Sequence, residues 1–395
     1  MRASNMGLLL RHLRSQGGRS RAQLASETGL SKATISSLIA ALAERGLVRE
    51  GEPVRDGAVG RPGLTVTLDG TYVAGVGLQI NVDYVALTAV TLTGTVVRES
   101  VLPVDVAHLG ADIVLDRVAT MLRRTLASLR ESRTDVVGIT VSPPGVIDYA
   151  AGALRFAPNL GWRNVPLTEA LSRRLGADAP PVHLENDAKL AAVAEYDRMA
   201  RDGIRDLLYL TGDVGVGAGI IAEGRLVRGW SGFSGEVGHL PLDPGLTPCN
   251  CGRRGCWETV VGLAAFLRSA VPEGDSLRDP ARPIADRLLT LRARADAGDE
   301  RTLAALAAIA ERLATGLGIL VDVLNPRMIV LGGYYGYFRE YLLPALEAKL
   351  EARLIDEGCR TLLATSELGL TASALGGALL SLEHVFDDPT VVAGR

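Results

Sequence analysis

Cysteine is scarce in this chain, and its placement argues against a disulfide framework. Four cysteines occur among 395 residues, and three of them fall within the eight positions from Cys249 to Cys256. Proteins that rely on disulfides carry cysteines in pairs spread along the chain. The Cys-x-x-Cys spacing of thioredoxin-like redox centres is missing too. The cysteines therefore favour a metal site in a reducing cytoplasm.

Long apolar runs are missing as well. No stretch approaches the roughly 20 consecutive apolar residues that cross a membrane. The N-terminal segment MGLLLRHLRSQ is too short and too charged for a signal peptide. Hydrophobic residues make up 47% and charged residues 22%, which is ordinary for a globular protein. The sequence therefore predicts a cytoplasmic protein without membrane association, made of two or three folding units.

Net charge is low, at −3, but it is unevenly distributed. Residues 1–65 carry ten Arg or Lys and five Asp or Glu, a net of +5, so the remainder carries −8. A small basic head on an acidic body favours binding of the head to a polyanion. A solvated basic surface would have the same charge, so charge alone does not decide between the two.

The basic head has the pattern of a helix-turn-helix. Ser20 and Gln23 have capping-box spacing at the start of one helix, and Gly29 suits its end. Ser31 can cap the next helix. In that helix an apolar stripe at helical spacing predicts a buried face, formed by Ile35, Leu38, Ile39 and Leu42. The opposite face carries short or polar side chains suited to a DNA major groove, namely Lys32, Ala33, Ser36 and Ser37.

The segments on either side complete a winged helix-turn-helix. An earlier helix is predicted over NMGLLLRHLRSQ. After the recognition helix, two strand-like runs flank a Gly- and Pro-rich turn that holds Arg55 and Arg61. Such a wing can bring an arginine, here Arg61, to the minor groove or a phosphate. The alternative is a small helical docking domain, but capped helices, wing and basic charge together favour operator DNA as the partner of residues 1–70.

The body predicts an α/β architecture with a repeated layout. Residues 71–100 and 205–229 each read as strand, turn, strand, turn, strand, with β-branched runs broken by Gly, Asn or Asp. Amphipathic helices and further strands follow each copy, which indicates α/β packing. We expect two lobes with a ligand between them. The first would span about 71–188 plus the C-terminal helix, and the second about 189–368.

The cysteine cluster has the spacing of a metal site. His239 lies ten residues before Cys249, and Cys251 and Cys256 follow. Three thiolates and one imidazole form the ligand set of many tetrahedral structural zinc sites. The other four histidines have no cysteine near them in the sequence. The sequence therefore predicts structural zinc, with the remaining Cys359 as a buried free thiol.

Three stretches of the chain form a combination that carries a family resemblance, namely SGFSGEVGHLPLDPGLTPCNCGRRGCWE, ENDAKLAAVAE, and GRPG after the winged helix. Together they resemble the ROK family of repressors, uncharacterised reading frames and sugar kinases. The GRPG segment is similar to the linker of the family's repressor branch. The resemblance covers nearly the whole chain. It implies that residues 71–395 form a two-lobed, actin-like sugar-kinase fold, which agrees with the repeated layout.

The resemblance also implies a sugar site. Asn186 and Asp187 match the family's sugar-binding pair, and Asp187 matches the general base of its kinases. Other positions that match sugar contacts are Glu236, His239, Glu258 and, in a pocket-lining loop, Asn159. His239 would then face zinc with one ring nitrogen and the sugar with the other. Taken singly, Asp187 has an alternative role as a helix cap, and Glu236 as the partner of an arginine.

One departure from the family's kinases is informative. Those kinases carry an Asp-x-Gly-Gly-Thr turn whose aspartate handles magnesium and whose glycines admit phosphates. Gln79 stands in the aspartate position here, followed by Ile80 and Asn81. A neutral amide is a poor magnesium ligand, and side chains crowd phosphates that glycine admits. The ATP-phosphate turn is therefore predicted to be lost.

Two functions from different classes follow. The first is a sugar-responsive transcriptional regulator without catalysis, acting as a repressor. The alternative is a ROK sugar kinase, which phosphorylates hexoses with ATP, with a fused DNA-binding head. A third possibility is a regulator controlled by a protein partner rather than a sugar. Because winged helices bind two-fold DNA sites in pairs, we expect a homodimer or homotetramer.

Overall fold

The protein divides into two compact units in the computed structural model, which describes residues 2–53, 64–157, 160–213, 215–279, 282–353 and 360–394. One unit comprises Met1–Leu190 with Ser373–Arg395, and the other comprises Ala191–Ala372. Four predicted features lie outside the described residues: the wing turn with Arg55 and Arg61, the GRPG segment, Asn159 and Cys359. The domain boundaries given above stay predictions.

The head contains three helices and a three-stranded antiparallel sheet in the order β1-β3-β2. Its elements are α1 (Arg2–Gln16), β1 (Arg19–Ser20), α2 (Arg21–Thr28), α3 (Lys32–Glu44), β2 (Val48–Pro53) and β3 (Leu64–Leu68). Strands β2 and β3 pair directly and form the wing. The predicted three helices and wing strands are confirmed.

Local sequence sets the helix ends of the head. The Ser20 hydroxyl accepts a hydrogen bond from Gln23 N at 3.2 Å, and the Gln23 side chain accepts one from Ser20 N at 2.8 Å. Gly29 follows α2 in the left-handed region, with φ of 72°. The Ser31 hydroxyl caps α3 through Thr34 N at 3.1 Å. The stripe on α3 is buried as predicted, at Ile35, Leu38, Ile39 and Leu42.

The body half of the first unit is built on a five-stranded sheet in the order β11-β7-β4-β5-β6. Its elements are β4 (Val73–Ile80), β5 (Tyr84–Thr91), β6 (Val96–Pro103), α4 (Val106–Leu109), α5 (Ala111–Glu131), β7 (Asp135–Ser142), β8 (Val146–Asp148), β9 (Ala153–Ala157), β10 (Trp162–Val165), α6 (Leu167–Leu175) and β11 (Val182–Leu184). Strands β4, β7 and β11 run parallel, whereas β4, β5 and β6 form an antiparallel meander. Strands β8, β9 and β10 form a small separate sheet.

Helix α7 (Asp187–Met199) begins in the first unit and continues into the second. The second unit repeats the layout on a sheet ordered β14-β13-β12-β15-β16. Its elements are β12 (Leu207–Gly212), β13 (Val216–Ala222), β14 (Arg225–Leu226), α8 (Glu258–Val261), α9 (Leu263–Ala270), α10 (Ile284–Asp296), α11 (Glu300–Leu324), β15 (Met328–Gly333), α12 (Arg339–Glu351) and β16 (Leu362–Thr365). The duplication predicted from the sequence is therefore present.

Helix α11 corrects the expectation that no stretch of the chain is long and apolar enough to cross a membrane. By length and composition it would suffice to cross a membrane, and among the described residues it is the one helix that meets this test. Its apolar side chains instead pack in the core of the second unit, at Leu306, Ile309, Leu313 and Leu317. More than half of its most apolar stretch, 56%, is buried, so α11 is a core helix of this unit.

The C-terminal helix α13 (Ala372–Asp387) returns to the first unit and packs on its sheet. A Cβ added to Gly77 in β4 would lie 1.8 Å from the Ala374 carbonyl oxygen, so the helix and strand backbones are in direct contact. The hydroxyls of Thr140 in β7 and Ser381 in α13 are hydrogen-bonded at 2.8 Å.

The head is joined to the body by more than its linker. Met6 and Leu10 of α1 belong to the same buried core as Val385 and Phe386 of α13. Arg11 donates to the Phe386 carbonyl oxygen at 2.7 Å. A continuous apolar core therefore fixes α1 to α13.

Candidate metal and ligand site

Four side chains that could hold a metal converge in the second unit. The ligand atoms of His239, Cys249, Cys251 and Cys256 all lie within 4.8 Å of one another. The sulfurs of Cys251 and Cys256 are 3.6 Å apart, and Cys249 Sγ is 3.8 Å from His239 Nδ1. Tetrahedral zinc with bonds of about 2.3 Å to sulfur places two sulfurs about 3.8 Å apart. The predicted ligand set is brought together with spacings that fit such a metal.

A tight loop presents the three cysteines. Two isolated antiparallel β-bridges pair Pro241 with Cys256 and Pro248 with Arg254. The chain therefore reverses direction within the cluster. Gly255, between these bridges, has φ of 77°, and an added Cβ there would lie 3.0 Å from the Asp243 carbonyl oxygen. Glycine at this position therefore lets the loop close without strain.

Asp243, which was not predicted from the sequence as a site residue, holds the loop together. Its buried carboxylate accepts hydrogen bonds from Gly245 N at 2.8 Å, Thr247 N at 2.9 Å and the Thr259 hydroxyl at 3.0 Å. These bonds, chiefly those from Thr247, lower its pKa from 3.8 to about 2. An Asp followed by Pro and Gly is typical of a turn stabilised by its own side chain, and that signal was available in the sequence.

We expect Asp243→Asn to destabilise the protein by about 2 kcal/mol at neutral pH, because an amide cannot accept all three hydrogen bonds. Urea unfolding with EDTA present in both proteins measures this without a contribution from metal. The folded-state pKa lies below the unfolded value, so the charge stabilises the fold above about pH 4 and ceases to do so as pH falls toward 2. The difference between the two proteins should shrink over that range. Glu273→Gln, at an exposed carboxylate, is the matched control; an equal loss there would contradict the assignment.

The three thiols differ in how readily they ionise. Burial and the neighbouring Glu258 carboxylate raise the pKa of Cys249 well above its usual range, and its thiol donates to Glu258 Oε1 at 2.7 Å. Burial also raises the pKa of Cys256. Burial opposes ionisation of Cys251, but hydrogen bonds from Arg253 lower its pKa. A metal bound here would therefore displace protons from at least two thiols.

Glu236, His239 and Glu258 form a polar group beside the cysteine cluster. Nε2 of His239 lies 3.8 Å from Glu236 Oε2, and Nδ1 lies 3.7 Å from Glu258 Oε1. Nδ1 is also the nitrogen nearest Cys249. The ring thus faces the thiols with one nitrogen and Glu236 with the other. Within the described residues no arginine pairs with Glu236, so that alternative gains no support.

Asn186 and Asp187 lie at the start of α7, in the first unit. Asn186 Oδ1 accepts from Lys189 N at 3.1 Å and so caps the helix, while Asp187 Oδ1 accepts from the adjacent Ala188 N at 2.8 Å. The role of helix cap, which was considered above for Asp187, is therefore filled mainly by Asn186. Both residues are half-buried.

A buried polar network beneath this pair was not predicted. Glu185 and Lys189 are 2% and 1% exposed, respectively. Tyr149 donates to Glu185 Oε1 at 2.8 Å, and Lys189 Nζ lies 3.3 Å from the Tyr149 hydroxyl. The Asn186 backbone N–H also donates to Glu185 Oε1, at 3.0 Å. The network fixes the backbone that carries Asn186 and Asp187.

The stretch from Gln79 to Tyr84, which was compared above with the kinase phosphate turn, carries side chains throughout. Gln79 is buried within β4, opposite Ala86 of β5 and Ser142 of β7. Asn81 uses its side chain locally, accepting from Val82 N at 2.7 Å and donating to the Tyr84 hydroxyl at 3.0 Å. No glycine stands between residues 79 and 84.

Gly212 in the second unit is covered by an aromatic ring. The ring of Tyr335, which is fully buried, packs on Gly212 at the end of β12, where an added Cβ would lie 2.5 Å from Cζ. The Tyr335 hydroxyl donates to the Val261 carbonyl oxygen at 3.0 Å. This aromatic ring therefore has a structural role at the strand end.

The predicted DNA-facing side of α3 is open to solvent. Lys32, Ala33 and Ser37 are exposed, and Ser36 is half-buried. The Lys32 ammonium makes no ion pair within the described parts of the chain. A free cation and two small side chains at the start of a helix leave room for base edges and phosphates.

Family models of known proteins match both the head and the body of the chain. A family model described as ROK family matches residues 75–384, and one described as MarR family matches residues 7–58. A glucokinase from Halalkalibacterium halodurans is 32% identical over 316 residues, which cover 77% of this chain and 94% of the kinase. The xylose repressor of Bacillus subtilis is 29% identical over 387 residues, 97% of this chain and 96% of the repressor.

Among solved structures, a ROK family transcriptional regulator described as a homologue of the E. coli MLC protein superposes with a TM-score of 0.79. Its sequence identity is 23%, and the match covers 98% of this chain and 97% of the other. The predicted fold, a winged helix-turn-helix followed by an actin-like α/β body, is confirmed by this likeness and by the MarR match. The match with the repressor extends through the head, whereas the match with the glucokinase leaves almost a quarter of this chain uncovered.

Proposed function

Because this chain belongs to the ROK family, we propose that it is a DNA-binding transcriptional repressor whose DNA affinity responds to a sugar or sugar derivative. The observation that carries the proposal is the winged helix, which shares a buried core with the body through α13. A DNA-binding head built into the body in this way is suited to regulation. Similarity to the xylose repressor along 97% of the chain supports the same reading.

In this proposal the DNA contacts come from α3 and the wing. Lys32, Ala33, Ser36 and Ser37 lie against base edges or phosphates, and Arg61 contacts the minor groove or backbone. Pairs of winged helices bind two-fold symmetric sites, so the protein acts as a homodimer or homotetramer. Because phosphate contacts release counterions, the affinity should fall steeply with salt.

The proposed sugar contacts are Asn186 and Asp187 on α7, Glu236, His239 and Glu258 beside the cysteine cluster, and Asn159. Carboxylates and amides can accept and donate several hydrogen bonds to a ring of hydroxyls. Structural zinc, held by His239 and the three cysteines, would fix the loop that presents Glu236 and Glu258. The contact between Glu258 and Cys249 supports this link, since the carboxylate lies directly against a proposed metal ligand.

Helix α13 offers a physical route from the sugar contacts to the head. Near its start, a Cβ on Gly376 would lie 1.7 Å from the Leu190 carbonyl oxygen, so it packs tightly against the first turn of α7. Near its end, Phe386 lies in the core with α1, and Arg14 stacks on its ring at 4.1 Å. A sugar that moves the start of α7 would therefore shift α1. We propose that this shift changes the spacing of paired heads and releases DNA, with a coupling of about 1–3 kcal/mol.

A sugar kinase with a DNA-binding head is the second candidate, favoured by the 32% identity with a glucokinase. Against it stand the amide of Gln79 where magnesium needs a carboxylate and the side chains that crowd the turn. Control by a protein partner rather than a sugar is a third candidate, and failure of every sugar to change DNA affinity would favour it.

Phosphotransfer separates the first two candidates. The full-length protein is incubated with a panel of hexoses, pentoses and amino sugars, together with ATP and magnesium, and sugar phosphate is measured. The regulator predicts no turnover above the protein-free rate. Sugar phosphate formed at an enzyme-like rate, and lost in Asp187→Asn, would establish the kinase instead.

Asp187→Asn is expected to raise the sugar concentration needed for half-maximal DNA release by about tenfold or more, because a buried hydroxyl loses its charged acceptor. DNA affinity without sugar should not change, since Asp187 lies outside the DNA-binding head. Fluorescence anisotropy of labelled DNA during sugar titration measures both quantities. Asp178→Asn, an exposed carboxylate in the same unit, should behave as wild type. An unchanged sugar response in Asp187→Asn would remove this residue from the site.

A further inference from the structure

The outer strand of the first unit's sheet is left uncovered. Strand β6 lies at the edge of the sheet, and seven of its eight residues are exposed while Ser100 is half-buried. Its exposed apolar side chains are Val96, Val97, Val101 and Leu102, each 41–46% accessible. The neighbouring strands β4 and β5 are almost fully buried. No helix within the described residues covers β6, although a bare apolar edge favours association with another chain.

A groove runs between this strand and α5. Its volume is about 530 Å³. One wall consists of alternate residues on one face of β6, Arg98, Ser100 and Leu102. The other wall is a stripe along α5 at helical spacing, formed by Ile113, Arg117, Met121 and Arg124. Both walls therefore combine apolar side chains with arginine.

The groove is positively charged and its charge is not compensated. Arg98, Arg117 and Arg124 form no hydrogen bond or ion pair within the described chain. The carboxylate that lines the groove, Asp116, is already paired with Arg174 at 2.7 Å. Unpaired arginine beside exposed aliphatic surface is the composition found in the centre of protein interfaces.

We propose that the groove between β6 and α5 docks an acidic, amphipathic segment of a partner protein, whose carboxylates pair with Arg98, Arg117 and Arg124 while its apolar side chains cover Leu102, Ile113 and Met121. A helix lying beside α5 would complete the layer over β6 and bury this edge. A second copy of the chain fits poorly, because it would bring the same arginines to the contact. DNA also fits the groove poorly, because its phosphates would pair with the arginines but would make no favourable contact with the apolar side chains of the walls.

The test uses a defined probe with the full-length protein. A fluorescein-labelled helical peptide of about 18 residues, with Glu and Leu on one face, is titrated and followed by anisotropy. Peptides of the same composition in scrambled order, and with Lys in place of Glu, serve as ligand controls. We expect the acidic amphipathic peptide to bind at least about tenfold more tightly than either control.

Charge-reversal variants on α5 test whether the peptide binds in the groove. Arg117→Glu combined with Arg124→Glu should lower the affinity for the acidic peptide by at least about tenfold and raise the affinity for the lysine peptide. A purely structural effect would not change the two affinities in opposite directions. Arg130→Glu, the same change on the same helix outside the groove, should leave binding within about twofold of wild type. Equal binding by the groove variant and wild type would overturn the proposal. If the groove variant also lost binding to random-sequence duplex DNA, the groove would be a DNA-binding surface and the proposal would be wrong. If the variant changed the sedimentation of the free protein, the groove would be a contact between two copies of the chain, which would also overturn the proposal.

Discussion

Replacing both Ala33 and Ser37 of α3 with glutamate is expected to lower the affinity of the full-length protein for its DNA site on the order of 100-fold. Both side chains are exposed on the face opposite the buried stripe of α3. A carboxylate at either position would meet base acceptors or phosphates, and each lost or repulsive groove contact costs about 1–3 kcal/mol. The DNA is selected by the protein from a random library, and affinity is measured by anisotropy.

The chain contains a closely matched control for this change. Ala22 and Ser26 have the same residue types and the same spacing on the exposed face of α2. Glutamate at both positions adds the same charge to the head without entering the proposed major-groove face, so only a loss of about a few fold is expected. Circular dichroism should be unchanged in both variants. Equal losses in the two variants would show that general repulsion, rather than α3, accounts for the effect.

Loss of the metal is expected to be the second large effect. Mature protein should contain about one zinc per chain, and Cys251→Ser should reduce this to near zero. Because metal binding contributes directly to folding free energy, we expect the melting temperature to fall by on the order of 10 °C. The sugar response should disappear as well, since the loop that presents Glu236 and Glu258 would lose its anchor.

Cys359→Ser supplies the control for this change. It removes a cysteine of the same chain that is separate in sequence from the cluster, so zinc content and sugar response should be unchanged. Elemental analysis of freshly purified wild-type protein checks the premise. No zinc in that sample, or equal zinc in Cys251→Ser and wild type, would contradict the metal assignment.

The features that the sequence predicted well depend on residues close to one another in the chain. The capping box of Ser20 and Gln23 and the left-handed Gly29 involve contacts within one or two helical turns. The cysteine cluster and His239 likewise fall within 18 consecutive residues, so their spacing alone indicated a shared site. The repeated strand layout was visible because glycine and Asn/Asp interrupt β-branched runs at each turn.

The features that were missed depend on contacts between distant parts of the chain. Arg11 and Phe386 are 375 residues apart in sequence, and no local pattern marks the packing of α1 on α13. No pattern close to Lys189 in the sequence indicates that it is buried, yet it is 1% exposed and lies in a network with Tyr149 and Glu185. The exposure of β6 was also unpredictable, since whether another element covers a strand depends on parts of the chain distant in sequence.

The most direct test of the proposed function is the DNA affinity of the full-length protein measured with and without sugar. A panel of sugars is titrated into the complex of protein and selected DNA at fixed salt, and the dissociation constant is followed by anisotropy. We expect at least one sugar to weaken DNA binding by about 5- to 150-fold, and we expect Asp187→Asn to need more of that sugar for the same effect. DNA binding that no sugar changes, in protein shown to contain zinc, would contradict the proposed function.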